Sequence, residues 1–131
     1  MSDGWTIEDF PPVARPHWEA LRDRGELLFQ RCAECGEPRL PPRAECPTCL
    51  SPNATWEVAG GGGVVVSWVV YHHAYDPALA DGVPYTVALV QLDEGPRLLT
   101  NVSGEPLTAG ARVKLAVEHE GAIALARFEL E

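Results

Sequence analysis

Lysine is nearly absent from this chain, which has a single one, Lys114, and its 10 basic side chains are outnumbered by 19 acidic ones. The net charge of −9 is unevenly spread, since residues 44–131 carry only four basic side chains against eleven acidic ones. Nucleic-acid-binding proteins gain much of their affinity by neutralising phosphates with lysine and arginine. The second half of the chain would repel a phosphate backbone, so its charge argues against this class.

Long apolar runs are also missing, and no stretch is apolar over the length that a membrane-spanning helix needs. The first ten residues are acidic and lack the basic segment and apolar run of a secretory signal peptide. We therefore expect a cytoplasmic protein that makes no contact with a membrane. A length of 131 residues is enough for about one domain with a modest core.

Cysteine is scarce but ordered, because the four cysteines form two Cys-x-x-Cys pairs with ten residues between them. The first pair is Cys32 and Cys35, and the second is Cys46 and Cys49. Each pair delivers two thiolates from one tight turn, and four thiolates complete a closed tetrahedral zinc site that is structural and not catalytic. There is no fifth cysteine, so the protein sulfurs would leave no position open for water or substrate.

Two alternatives use the same four residues. Iron can take the place of zinc in a rubredoxin-like site of four thiolates. Two disulfides could instead link the cysteines if the protein were secreted. Because nothing else in the sequence indicates secretion, reduced thiols that hold a metal ion are the simpler prediction.

The N-terminal unit, residues 1–25, is predicted to be an extended arm followed by a short helix. Pro16 suits the first helical turn, and Gly25 suits the position just after the last one. The arm carries two large aromatic side chains, Trp5 and Phe10. We expect them to lie on a surface, either of this chain or of a partner.

The second unit, residues 26–57, contains both cysteine pairs, with three prolines between them that disfavour a helix. This layout is typical of a zinc ribbon. The glycine run 60–63 then interrupts the chain, and such a run is compatible with a hinge, a bulge or the close approach of another backbone.

The third unit, residues 58–131, is predicted to be β throughout. Short runs rich in β-branched and aromatic residues are separated by turns, and they predict five strands at 64–73, 85–92, 98–103, 112–119 and 123–130. Five such strands suit a small closed barrel without exposed edges. The predicted fold is therefore mainly β, with an N-terminal helix, a small four-cysteine zinc ribbon and a five-stranded OB-fold barrel.

Four stretches of sequence follow one another in a recognisable order. They are RPHWE at 15–19, the text around the first cysteine pair at 28–36, the text around the second pair at 41–49, and the strand and turn text at 87–101. In this order they resemble a family that joins a rubredoxin-like zinc ribbon to an OB-fold. The family is long catalogued as a domain of unknown function and is linked to acyl-CoA metabolism.

The resemblance implies a non-catalytic accessory subunit that binds a thiolase-superfamily enzyme, either an aldolase or a thiolase. Family members are similar to partners of aldolases that shorten steroid side chains as coenzyme A esters, a lyase reaction of lipid degradation. Others are joined to hydratase-like hot-dog domains, so a protein of that kind is a second expected partner. Acyl-CoA would reach this chain through the complex, and a structural zinc ion would occupy the four thiolates.

Residues outside the cysteine pairs give two further candidate sites. The loop that follows the first barrel strand carries Tyr75, Leu79 and Tyr85, which would form an apolar surface for a partner or substrate. Arg39 and Arg43 are candidate contacts for the phosphates of coenzyme A, since arginine holds phosphate with parallel hydrogen bonds. The alternative for these two arginines is pairing with nearby carboxylates.

Two rival functions remain at this level. One is single-stranded nucleic-acid binding, which OB barrels and zinc ribbons both perform. The other is free-standing catalysis by His72 or His73, but neighbouring residues on a strand point to opposite faces and cannot easily share a site. We predict no catalytic residue in the chain.

Overall fold

The computed structural model of the protein describes residues 5–72 and 84–131. Two 3-10 turns, Ile7–Asp9 and Pro12–Ala14, lead into helix α1, Arg15–Arg24. Eight strands follow: β1 Leu28–Cys32, β2 Pro38–Arg39, β3 Ala54–Val58, β4 Gly62–Tyr71, β5 Tyr85–Leu92, β6 Arg97–Ser103, β7 Arg112–Glu120 and β8 Ile123–Leu130. No helix in the described ranges is long and apolar enough to cross a membrane.

The strands form two sheets, and these confirm the predicted fold class. A three-stranded antiparallel sheet has the order β2-β1-β3, and a closed five-stranded barrel has the order β4-β5-β6-β8-β7. The segment before the glycine run is the third strand of the small sheet, because β3 pairs with β1 from Leu28 opposite Val58 to Cys32 opposite Ala54.

Helix α1 ends where the sequence predicts. Gly25 follows its last residue with a left-handed backbone, at a φ of 64°, and donates its N–H to the carbonyl of Leu21 at 3.2 Å. Glycine adopts this conformation without a steric penalty, which makes it the usual residue at this position. The chain can therefore turn sharply from the helix into β1.

One apolar core joins the helix, the small sheet and the barrel. Leu21 of the helix and Leu27 and Phe29 around β1 are fully buried. They belong to the same cluster as the inward-facing barrel residues Val65, Ala88, Val90, Leu92, Val102, Val113, Ala124 and Phe128. The three parts of the chain therefore share their interior, and burial of this apolar surface is the main favourable term that holds them together.

The glycine run contains a point where two backbones approach closely. The prediction that this run interrupts the chain is wrong for Gly62 and Gly63. Gly62 and Gly63 belong to β4. A Cβ on Gly63 would lie 2.6 Å from the carbonyl oxygen of Gln91 on the neighbouring strand. A Cβ on Gly60 would meet only a carboxylate oxygen of Glu94, at 3.3 Å.

Two short strand pairings close the barrel. Strand β4 pairs with β7 only through residues 62–64, and β6 pairs with β8 through two residue pairs, 102–103 with 128–129. A bulge between Val65 and Ser67 then bends β4. Within the described residues, β4 beyond the bulge pairs with β5 alone, up to Tyr71 opposite Tyr85. The outer part of β4 therefore extends beyond the residues that pair on both of its sides.

His17 is a buried histidine that faces a backbone carbonyl. Its Nδ1–H donates to the carbonyl oxygen of Leu28 at 3.0 Å and so links α1 to β1. Burial lowers the pKa of His17 below its usual value, and the hydrogen bond to Leu28 opposes this only in part. The folded protein therefore favours the neutral imidazole.

We expect Gly63→Ala to lower the free energy of unfolding by about 1–3 kcal/mol, because the new methyl group meets the β5 backbone. Gly60→Ala is the matched control and should change stability by less than about 0.5 kcal/mol. Urea unfolding of the metal-loaded variants, followed by tryptophan fluorescence, measures both. Equal stabilities would contradict the close approach.

We also expect the chain to lose stability as the pH falls below about 6.5. An unfolded histidine takes up a proton in this range, whereas buried His17 resists protonation, so the unfolded state binds more protons. His17→Gln should remove this part of the pH dependence, and His119→Gln, at an exposed position, should retain it. Unfolding at pH 7.5 and 5.5 with excess metal compares the three proteins; identical pH slopes would refute the assignment to His17.

Candidate metal centre and partner-binding surface

The four cysteines come together in the folded chain. Their sulfur atoms all lie within 4.8 Å of one another, with Sγ–Sγ distances of 3.5 Å between Cys32 and Cys49 and 3.6 Å between Cys35 and Cys46. A tetrahedral ion with metal–sulfur bonds of about 2.3 Å requires sulfur atoms about 3.8 Å apart. The arrangement therefore fits a single four-thiolate metal ion, as the spacing of the cysteines predicts.

Two turns of matching geometry present the thiols. In the first, the N–H of Gly36 donates to the carbonyl of Cys32 at 3.0 Å; in the second, the N–H of Leu50 donates to the carbonyl of Cys46 at 2.8 Å. Gly36 and Leu50 both have a left-handed backbone, at φ values of 79° and 65°. Leucine rarely adopts this conformation, so the geometry of the second turn could not be predicted from the residue at this position.

Backbone N–H groups favour the thiolate form of the two buried cysteines. The amide of Cys35 points at the sulfur of Cys32 and lowers the pKa of that thiol to about 6. The pKa of Cys46 is lowered in the same way, first by the amide of Cys49 and also by that of Thr48, at 3.4 Å. These two residues are pre-organised as anionic ligands.

The two exposed cysteines show why the cluster needs a cation. The amide of Glu37 favours the thiolate of Cys35, but partial burial and the nearby sulfurs, Cys46 above all, outweigh it and raise the pKa of Cys35 to about 12. The pKa of Cys49 is raised as well, mainly by Cys32, against the effect of the Ser51 amide. Four neighbouring thiols resist full ionisation, and a bound divalent cation removes that repulsion.

The candidate arginines lie between the two turns, Arg39 in β2 and Arg43 in the loop that follows it. Arg39 is only 4% exposed, and it donates from Nε to the side-chain oxygen of Gln30 at 3.1 Å and from Nη2 to the carbonyl of Arg43 at 3.2 Å. The backbone N–H of Arg43 donates to the same oxygen of Gln30 at 2.7 Å, and its side chain is exposed. Arg39 thus holds the loop against β1, and among the described residues neither arginine forms an ion pair. Contact with coenzyme A stays a prediction.

Of the three residues predicted to form a partner or substrate surface, Tyr75 and Leu79 lie outside the described residues. Tyr85 is the first residue of β5, and its ring stacks on that of Tyr71 with centroids 5.2 Å apart. His72 is exposed, and His73 also lies outside the described ranges. Tyr85 is therefore part of an aromatic pair at the end of the β4–β5 hairpin.

That hairpin carries an apolar surface which sequence reasoning missed. Four consecutive residues of β4, Trp68 to Tyr71, are exposed, although neighbouring residues on a strand point to opposite faces. Both faces of β4 are therefore open at the end of the hairpin, whereas residues 85–87 of β5 are half-buried. We call this end of the hairpin, residues 67–71 and 85–87, the β4–β5 arm. A signal was present, because the run from Val64 to Tyr71 is apolar at both alternating sets of positions except at Ser67, and a half-buried strand does not need this.

A four-cysteine ribbon joined to an OB-fold barrel defines the class of the protein. Two family models match in the same order: the rubredoxin-like zinc ribbon domain of ChsH2 over residues 18–54 and the C-terminal OB-fold domain of ChsH2 over residues 56–118. A DUF35 domain-containing scaffold protein of Pyrococcus furiosus is 32% identical over 108 residues, which are 80% of this chain and 78% of that protein. The chain belongs to the ChsH2/DUF35 family, which confirms the resemblance.

Two other proteins are informative about this family. A probable enoyl-CoA hydratase alpha subunit of Thermomonospora curvata is 46% identical over 87 residues; these are 66% of this chain but 26% of that protein, so the chain spans about a quarter of its length. A solved structure described as the Ltp2-ChsH2(DUF35) aldolase contains a similar chain, with a TM-score of 0.79 and 36% identity over 92% of this chain and 96% of that one.

We expect Cys46→Ser to abolish stable metal binding, because it removes one of the two buried ligands. Thr48→Ser, in the same turn, keeps all four thiols and should bind one equivalent of metal. Elemental analysis after gel filtration with a mild chelator measures both, and circular dichroism should show loss of ribbon structure in the metal-free protein. Retention of metal by Cys46→Ser, or the absence of free thiols in the denatured parent, would overturn the tetrathiolate site.

Proposed function

We propose that this chain is a non-catalytic accessory subunit that binds and supports a thiolase-superfamily enzyme, an aldolase or a thiolase, acting on acyl-CoA. The observation that carries the proposal is the β4–β5 arm, an apolar surface whose β4 strand is exposed on both faces. Family membership supports the accessory role, since a relative is described as a scaffold protein and a solved one as part of an aldolase.

The arm has the composition of a protein interface. Its β4 strand exposes Trp68 and Tyr71 together with two valines, and its β5 strand adds Tyr85. Tryptophan and tyrosine are the residues that most often dominate binding energy at interfaces. The arm residues carry no charge, although the second half of the chain has a net charge of −7. Such a surface fits an apolar recess of a partner, and the predicted loop residues Tyr75 and Leu79 follow it directly in sequence.

The charges of the barrel support a protein partner over a nucleic acid. Three of its four cations are paired with carboxylates: Arg112 with Asp93, Lys114 with Glu129, and Arg127 with Glu118. Binding to a single strand uses a basic groove with interleaved aromatic side chains. In the described part of the barrel, the β4–β5 arm has aromatic side chains but no lysine or arginine between them.

The finer parts of the proposal rest on the family. We assign zinc to the four thiolates and give it a structural role, because the matching family model is that of a zinc ribbon. We propose that the substrate is an acyl-CoA, with a steroid side-chain ester as the specific case, and that it reaches the chain only through the complex. A hydratase-like hot-dog protein is a second proposed partner, in keeping with the relative described as a hydratase alpha subunit.

The test is affinity purification of the tagged chain from its native host at moderate salt, with mass spectrometry of bound proteins. We expect a thiolase-like protein in near-equal amount. Val69→Asp, on the arm, should reduce its recovery at least about tenfold, since burying an unpaired charge is costly. The control is Val58→Asp on β3, because Val58 and Val69 are both 54% exposed.

Two outcomes would contradict the proposal in different ways. Equal recovery with Val69→Asp would show that the arm is not the contact. Recovery of nucleic acid, or of no thiolase-like protein, would refute the accessory function itself.

A further inference from the structure

A cavity of about 690 Å³ lies on the outside of the barrel wall, where the three parts of the chain meet. Its walls come from the N-terminal segment and α1, from the loop between the two cysteine pairs, and from β5, β6 and β8 of the barrel. The apolar lining includes Val13, Trp18, Leu40, Leu89, Leu99 and Leu125. Cavities of roughly 300–1,000 Å³ are typical of small-molecule sites.

The barrel side of the cavity is apolar, although it belongs to the outer face of the barrel and not to the core. Leu89 of β5 and Leu99 of β6 lie directly opposite each other and share the outer face, since their neighbour Ala88 points into the core. The outer face of an antiparallel sheet is usually polar. Leu99 is nevertheless 73% exposed, so the folded chain leaves a large apolar side chain open to this cavity.

The opposite wall is held in place by a stack of aromatic rings. Trp18, which lines the cavity, lies against Phe10 with centroids 4.2 Å apart, and Phe10 in turn lies against Trp5 at 5.6 Å. Trp5 and Phe10, which were predicted to lie on a surface of this chain or of a partner, thus form a stack against this chain's own helix. This stack fixes the wall before any ligand arrives, which reduces the cost of ordering it on binding.

The cavity contains the one barrel cation that the described residues leave without a carboxylate partner. Arg97 lines the cavity, and the only side-chain hydrogen bond that it forms in these ranges runs from Nε to the neutral side-chain oxygen of Gln91, at 3.2 Å. The polar groups beside it are already occupied: Asn101 donates to the carbonyl of Thr86 at 2.8 Å, and Thr100 donates to that of Ala126 at 2.7 Å. Arg97 therefore offers an unused guanidinium beside an apolar hollow.

We propose that this cavity binds an amphipathic monoanion, a small molecule with an apolar body and a single carboxylate. The body packs between Trp18 and the leucines of the barrel wall, and the carboxylate accepts parallel hydrogen bonds from Arg97. A positive group in an acidic protein attracts such an anion where most of the surface repels it. The cavity is separate from the metal centre, and the proposal does not depend on the proposed enzyme partner.

Calorimetric titration of the full-length, metal-loaded chain with octanoate, and with 1-octanol as an uncharged probe, tests the proposal. We expect saturable one-to-one binding of octanoate. Arg97→Gln should weaken octanoate binding about tenfold or more, because a hydrogen bond to a charged group contributes roughly this factor, and should affect octanol far less. Lys114→Gln, which removes a cation outside the cavity, should change neither titration.

A second variant tests the apolar wall without disturbing the fold. Leu99→Asp changes an exposed side chain, so its melting temperature should stay close to that of the parent, and its new charge should abolish octanoate binding. The absence of saturable binding to the parent, or binding that neither variant weakens, would overturn the proposal. It would also fail if Leu99→Asp prevented capture of a protein partner while the parent bound no octanoate, since the cavity would then be a protein contact.

Discussion

One apolar core holds the helix, the small sheet and the barrel together. Leu21 of the helix, and Leu27 and Phe29 around the first strand, are buried in the same cluster as the interior of the barrel. The small sheet has one strand of only two residues, Pro38–Arg39, and could not bury a core of its own. Its attachment to the barrel fixes the metal centre, the helix and the walls of the outer cavity relative to one another.

The metal centre and the core stabilise the ribbon from opposite ends. The four thiols tie the two turns together at the tip, while β1 and β3 pair along their full length and lead back to the shared core. Buried Arg39 adds a third connection, because its hydrogen bonds to Gln30 and to the backbone of Arg43 hold the intervening loop against β1. A metal ion held by the four thiols would therefore stabilise the tip of the ribbon, which the shared core does not reach.

Charged and apolar surfaces are separated on the barrel. Most barrel cations are used in pairs with carboxylates, which leaves an acidic exterior. The uncharged β4–β5 arm and the cavity beside Arg97 are two separate regions of the barrel that are not acidic. An acidic protein with two apolar surfaces is suited to selective binding, because the rest of its surface repels unspecific anionic partners.

Local sequence pattern was enough to predict the clustering of the four cysteines, the end of the helix at Gly25, and the last strand, expected at 123–130 and found at Ile123–Leu130. The folded structure was needed to show that Gly63 lies within a strand against another backbone, that Arg39 is buried, and that three distant segments enclose a cavity. Spacing and alternation act between near neighbours in the chain, whereas these features arise from contacts between residues far apart in sequence, which no local pattern records.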